Sequence, residues 1–438
     1  MNAKLKHTLF FLIYLAFSQT VSAQEQRSFK NLEEVLSFTK EKNFNFYNAE
    51  IQTQLADLTR KSAWGNIFNP RIPVSVQALD NFNQQVIVMP GEVFGQPGTF
   101  REITTGQRYS TVFNIQPQFE ILNLSNISQV KASKINQELT AVQNKMNEQN
   151  IYNQINSIYF NMLSFQEQIK IVEQNIGSAD TIFRITQNRF NEEVGRKQDV
   201  NEAEVNLIRL QDNLEQLRLN LKIQQESLAL YFENSITPSL VEELGNYEKA
   251  TPSNPTNSSL AIQDANLKIL SMEQELRTSR FQNIPTLSFV SAFNWQNLSN
   301  TSYFSNDSRW IDYSYLGLKL SMDLPTTVSK VATSQNKKYQ SLILKSNAEH
   351  AIKETETKNR QLILDYEKAL SQVRNFRKIV DLKQDTYNKN FNQYQENILA
   401  LDKLLISHND LLIAELNLVS ALANIGFNKS KIDINNKF

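Results

Sequence analysis

Residues 151–179 read IYNQINSIYFNMLSFQEQIKIVEQNIGSA. Apolar side chains fall at Ile151, Ile155, Ile158, Met162, Phe165, Ile169, Val172, Ile176 and Ala179. The steps alternate four and three without a miss. This is a heptad seam, and a period of 3.5 winds a helix left-handed around its partners. Neither Pro nor Gly occurs between Gln118 and Ile176, and helix-permissive residues continue from about Ser125 to about Glu192. At 1.5 Å per residue such a helix is on the order of 100 Å long. A rod of that length is not the core of a compact globule, so the function is expected to need a long, thin object.

Composition narrows the classes. The chain has 438 residues, balanced Lys+Arg and Asp+Glu, 10 Gly, 10 Pro and no Cys. No basic stripe is present, and nucleic acid is not an expected partner. The absence of Cys excludes disulfides, thiol catalysis, zinc–thiolate sites and a lipid anchor on cysteine. A mean hydropathy of −0.43 is too polar for a bundle of membrane-spanning helices. Residues 1–23 read as an export signal: Lys4 and Lys6, an apolar run from Leu9 to Phe17, then Val21-Ser22-Ala23 before Gln24. Beyond it no apolar run of about 18 residues stands out, so no spanning helix is expected.

Taken in order, residues 29–68 read as one helix opened by the acidic turn of Glu33 and Glu34 and stopped by Pro70 and Pro73. The period then changes to two. Val74, Val76 and Ala78 alternate with Ser75 and Gln77. Residues 80–108, rich in Gly and Pro, read as a long loop. A second alternating run sets Tyr109, Thr111, Phe113, Ile115 and Phe119 on one face, against Ser110, Asn114, Gln116 and Gln118. The long helix follows, then a break at Val194-Gly195 and a returning helix with Leu207, Leu210, Leu214, Leu217 and Leu221 on its seam. Residues 237–257 read as an irregular link.

The series then repeats. A helix over 260–282 is stopped by Pro285. Two alternating strands flank a polar loop at 297–312, the second carrying Leu316, Leu318, Leu320, Met322 and Leu324 on one face. A second long helix spans 328–394, a break falls at Asn397, and a last helix covers 400 to about 427 with two apolar tracks. Phe119 aligns with Met322, and Asp199 with Asp402, at one constant offset. Such an internal duplication governs the fold. The expected divisions are 1–23, a first repeat over 24–236, a linker at 237–258 and a second repeat over 259–438.

Four strands of about ten residues with one oily and one wet face fit membrane β-strands. Four strands cannot close a barrel, and lipid does not tolerate an open edge. Cyclic symmetry is the usual remedy, and three copies supply twelve strands. The predicted class is mainly α with β: two tandem repeats forming a long coiled-coil tunnel, plus four strands contributed to a shared 12-stranded barrel in a trimer. The rival is an exported coiled-coil scaffold or adhesin with small β caps.

Here the chain resembles the outer-membrane efflux protein family, the TolC-like channels. The resemblance rests on Leu32-Glu33-Glu34-Val35-Leu36, on the junctions Asn69-Pro70-Arg71-Ile72-Pro73 and Asn283-Ile284-Pro285-Thr286-Leu287, and on the turn from Arg189-Phe190 through Gly195 to Asp199-Val200. It implies a homotrimer in outer-membrane lipid with its helices in the periplasm, and no catalytic centre. It also implies a periplasmic adaptor and an inner-membrane pump docked on the tunnel. Gly195 follows Arg189 by six residues where the family has four, and the second copy has Asn397 where Gly is usual. The resemblance implies Asp402 as a pore-constriction residue, with Asp199 its equivalent in the first copy, read chiefly as a cap and organiser of the turn. Val194, Gly195, Asn397 and Ile398 are the expected adaptor contacts. No metal and no cofactor are expected, since His7, His350 and His408 stand alone and no phosphate-cradling Gly loop is present.

Overall fold

The computed structural model describes residues 25–233, 236–248, 253–256, 259–306, 308–324 and 328–438. The expected signal over residues 1–23 lies outside them. In chain order the elements are β1 (Glu25–Phe29), α1 (Leu32–Lys42), α2 (Phe44–Gly65), β2 (Val74–Asp80), β3 (Gln85–Pro90), β4 (Phe100–Thr105), β5 (Tyr109–Ile115), β6 (Gln118–Leu122), α3 (Leu124–Asn191) and α4 (Lys197–Ala229). Then follow β7 (Ile236–Leu240), α5 (Leu260–Phe281), β8 (Thr286–Ser299), β9 (Arg309–Ser321), α6 (Val328–Gln395) and α7 (Leu401–Lys437). These residues divide into two compact units. One holds residues 25–51, 143–262 and 350–438; the other holds 52–142 and 263–349.

The first unit is built on the heptad seam. Ile151, Ile155, Met162, Val172 and Ala179 of α3 are all buried. Around Ile155 the core gathers Tyr159, Phe160 and Leu163, with Leu228 from α4 and Val419, Ala423 and Ile434 from α7. Phe29, Phe38 and Phe232 close it as an aromatic trio with centroids 5.1–5.8 Å apart. Buried aromatics of this kind carry much of a core's apolar area.

Three local readings change. The helix expected over 29–68 is two helices. Asn43, buried and extended at φ −80°, breaks it. Its side chain accepts from the Asn45 N–H at 2.9 Å, capping α2, and donates to the Tyr231 carbonyl at 3.1 Å. The link expected to be irregular contains β7, which pairs in parallel with β1 from Glu25↔Ile236 to Phe29↔Leu240. The last helix runs on to Lys437. It is also long and apolar enough to cross a bilayer, against expectation. Its apolar side chains are occupied elsewhere: Leu411 and Leu412, Ile425 and Ile432 sit buried in the first unit, three of them in packed clusters.

The second unit is organised by an antiparallel sheet. β2 pairs β5, β5 and β6 pair successive halves of β8, and β8 pairs β9 over Thr286↔Ser321 to Leu298↔Arg309. The strand expected over 109–119 is interrupted at Gln116-Pro117, where the Pro carbonyl accepts from the Ser291 N–H at 3.0 Å and its hydroxyl at 2.7 Å. Pro lacks the N–H that an unbroken ladder needs. Four strand positions therefore make the sheet, with β2 and β9 as its edges.

Its registers sort the side chains onto two faces. Val74, Ile115 and Phe293 fall in one line across three strands; Val76, Phe113 and Trp295 fall in the next. Phe289 lies between Phe119 and Leu318 on the same face. The other face carries Ser75, Asn114 and Asn294 in line, with the two Asn side chains hydrogen-bonded, and Gln77 and Gln296. The apolar face is bare: Val74 is 65% exposed and Leu318 68%. Finally, the stretch expected as a loop contains a second hairpin, β3 with β4, paired from Gln85↔Thr105 to Pro90↔Phe100.

Candidate functional site at the helix turns

Two turns in the first unit join the long helices to the returning ones. At the first, the N–H groups of Val194 and Gly195 both donate to the Arg189 carbonyl at 3.0 Å. The chain reverses through Glu193, which takes the left-handed conformation at φ 61°. A side chain at Gly195 would put its Cβ 3.0 Å from Phe190 N and 3.1 Å from Arg189 C. Gly195 is thus required by close approach, and the left-handed position is Glu193, four residues after Arg189. At the second turn the N–H groups of Ile398 and Leu399 donate to the Gln393 carbonyl at 2.8 and 3.3 Å, and Asn397 is left-handed at φ 62°. Asn bears that conformation at lower cost than most residues.

The turns therefore coincide residue for residue at an offset of 204, as do the helix starts Leu124 and Val328 and the helix ends Asn191 and Gln395. The offset that pairs Asp199 with Asp402 is one residue short. Asp199 stands opposite Lys403, and the burial of Val200 and Leu404 agrees.

The two turns are stitched together by a residue whose role the sequence did not disclose. Arg189 donates from Nη2 to the carbonyls of Tyr394 at 2.7 Å and Gln395 at 3.2 Å, and its guanidinium lies 4.3 Å from the centre of the Tyr394 ring. A cation here also meets the negative end of the α6 dipole. The Tyr394 hydroxyl lies 2.9 Å from that of Thr186, both buried. Beneath them Ile182, Ala203, Tyr394, Leu401 and Leu404 form a small core.

The predicted residues separate into three environments. Val194 and Ile398 are 75% and 69% exposed, with Asn397 exposed and Gly195 half-buried beside them. Asp199 is paired with Arg196 at 3.0 Å in the first turn of α4. Asp402 is exposed in the first turn of α7 and has no ion-pair partner among the described residues. It lines a groove of about 430 Å³ between α4 and α7, with Glu202 and Arg209 across from it and Leu405 and Asn409 beside it. The structure thus brings Asp402 together with Glu202 rather than with Asp199. Glu202 was not picked out from the sequence, because which face of α4 meets α7 is set by the packing of helices far apart in the chain.

Six residues beyond Asp402, His408 is buried with its ring 5.2 Å from that of Tyr387. Its Nε2 has no hydrogen-bond partner among the described residues. Burial pushes its pKa down to about 4. The neutral form is thus favoured when folded. Above pH 6.5 folded and unfolded chains are both neutral here, and stability is unaffected. As pH falls from 6.5 towards 4, only the unfolded chain takes the proton, and stability is lost. The full loss is about 3 kcal/mol per chain. Thermal melts at pH 7 and pH 4.5 are expected to show a larger drop in the native chain than in His408→Phe.

Residues 42–232 match the family model described as outer membrane efflux protein. No curated protein sequence matches the chain. Among solved structures, the outer membrane protein VceC from Vibrio cholerae is similar at 12% identity and a TM-score of 0.71, covering 92% of this chain and 94% of that one. A membrane protein from Pseudomonas aeruginosa gives 10% identity and a TM-score of 0.74, with 92% and 89% covered. The CmeC outer membrane channel of Campylobacter jejuni gives 13% and 0.67, with 92% and 84% covered. At such identities the structural likeness is one of fold.

Proposed function

We propose that this chain is an outer-membrane efflux channel and one third of a closed exit duct, a reading supported by the match of residues 42–232 to the outer membrane efflux protein family model and by the likeness in fold to solved outer-membrane channels. The reading is that of a channel rather than an enzyme. One observation carries it. The sheet has an apolar face open to its surroundings and, among the described residues, two unpaired edges, β2 and β9. Water would be a poor neighbour for that face, and lipid a poor neighbour for those edges. Three copies pairing β9 to the next β2 satisfy both demands at once and give twelve strands. The helices of the first unit then form the periplasmic part of the duct. An inner-membrane pump would deliver cargo through a periplasmic adaptor. Val194, Gly195, Asn397 and Ile398, exposed or half-exposed at the turns, are the surface offered to it. Membrane fractionation and gel mobility in SDS without boiling test the assembly. A duct travels with the outer membrane as a trimer; a coiled-coil scaffold washes off as a monomer.

Within the duct, Asp402 is the constriction residue. Threefold symmetry repeats its carboxylate around the axis, and like charges in close approach bind protons and cations more tightly. Asp199, held by Arg196, organises the first turn. In planar bilayers Asp402→Ala is expected to lower the cation-to-anion permeability ratio towards unity and to relieve block by divalent cations. Selectivity and block equal to those of the native channel would remove Asp402 from the gate.

A further inference from the structure

The β3–β4 hairpin is unexplained by the duct. Its register puts Val86, Val88 and Phe100 on one face, with Thr104 and Glu102 opposite the two valines. Val88 is 57% and Phe100 77% exposed. Phe82, between β2 and this hairpin, is 82% exposed. Apolar side chains this bare, on a hairpin whose edges are both unpaired among the described residues, mark a surface that something covers.

The root of the hairpin is fixed. The Asn81 N–H donates to the Arg108 carbonyl at 2.6 Å, and its side-chain amide donates to the Gln107 carbonyl at 3.0 Å. Arg108 pairs with Asp80 at 3.0 Å, and its N–H donates to the Asn300 side chain at 3.1 Å. The hairpin therefore leaves from the end of β2, the sheet's open edge. At the opposite edge, β9 begins at Arg309, and the turn before it carries Tyr303 and Phe304, with Trp310 next in the strand. Phe304 is 58% and Trp310 47% exposed. Phe304 is left-handed at φ 58°, a strained conformation for a bulky residue. Such strain persists where surroundings over-determine it, often at contact sites.

Strand direction decides what meets what. β2 ends, and β9 begins, at the same end of the sheet, because the ladder runs antiparallel through β5 and β8. Resting on the closed-duct reading, the joining of β9 to the next copy's β2 brings that copy's hairpin beside this copy's aromatic turn. We propose that Phe82, Val88 and Phe100 of each copy pack on Tyr303, Phe304 and Trp310 of the neighbouring copy. The occupant is a second copy of this chain, and three such clasps lock the seams at the outer end of the barrel.

The native chain has no cysteine, so introduced thiols are unambiguous. A disulfide needs Cα atoms within about 7 Å. Phe82→Cys/Phe304→Cys in outer membranes is expected to give, on mild oxidation, an interchain ladder ending at three chains, whereas a bond closed within one copy leaves the chain monomeric on a non-reducing gel and overturns the clasp. Gln77→Cys, paired in turn with Tyr313→Cys and Tyr315→Cys and treated with a short bis-maleimide, reports the seam itself. A seam ladder without a hairpin ladder overturns the clasp and leaves the duct standing. Absence of both ladders overturns the clasp and the duct together. A hairpin thiol that stays monomeric, and is shielded from a membrane-impermeant maleimide only when the membrane is intact, assigns the hairpin to lipid and also overturns the clasp.

Discussion

Phe293→Lys is expected to destabilise the assembled protein by about 2–4 kcal/mol, the cost of a cation facing lipid near mid-depth. Gln77→Lys, a comparable change on the other face of the same sheet, is expected to be nearly silent. Phe293 lies near the middle of the 14-residue β8, in line with Ile115 and Val74. Gln77 lies in line with Val112 and Gln296 on the side shared by the hydrogen-bonded Asn114 and Asn294. If the bare apolar side meets lipid, the ammonium that replaces Phe293 must be desolvated or must reach for the headgroups. If the wet side lines an aqueous lumen, the ammonium that replaces Gln77 keeps its hydration. Urea midpoints for folding into lipid vesicles measure both. Equal losses at the two sites would mean that the faces do not divide lipid from water.

Gly426→Ala is expected to cost about 1–2 kcal/mol net, although the same change in an open helix stabilises by about 1 kcal/mol. The reason is its neighbour. A Cβ at position 426 would stand 2.2 Å from Phe160 Cε1 and under 3 Å from two more ring atoms. That ring is buried and cannot swing aside. Tyr159 and Tyr247 hold it edge-to-face at centroid distances of 5.4 and 5.0 Å. Overpacking of this kind typically costs about 1–3 kcal/mol. Chemical denaturation of Gly426→Ala, Phe160→Leu and the double variant forms a cycle. A double variant more stable than the sum of the single losses predicts coupling through the overlap. Simple additivity would show that the helices relax apart at no cost.

Gly426 also shows where sequence reading stops. The heptad from Ile151 to Ala179 announced the long helix, and period-two runs announced the sheet faces, because both patterns are local and repeat many times. A mid-helix Gly has no such pattern; its meaning lies in a ring 266 positions earlier in the chain. β7 escaped for a related reason. It is five residues long, contains Pro238, and gains its ladder from β1, more than 200 residues away. The β3–β4 hairpin was masked by the Gly and Pro of its own turn. At the candidate site, the exposed turn residues were legible from the family signature. The left-handed backbone of Glu193 was not, because Gly195 two positions later is the residue type that usually takes that conformation. Arg189 was visible as a motif residue, yet its grip on the Tyr394 and Gln395 carbonyls needed the fold. Asp402 was named only as what the resemblance implies, and its place in one groove with Glu202 needed the packing of α4 against α7.

Whether several copies of this chain close one barrel around water is decided by conductance. Purified protein that runs as an SDS-resistant trimer is added to a planar lipid bilayer. Discrete, uniform current steps are expected from the trimer, and none after it is boiled to monomers. Protein that stays monomeric in detergent and leaves the bilayer electrically silent would show that no such barrel forms.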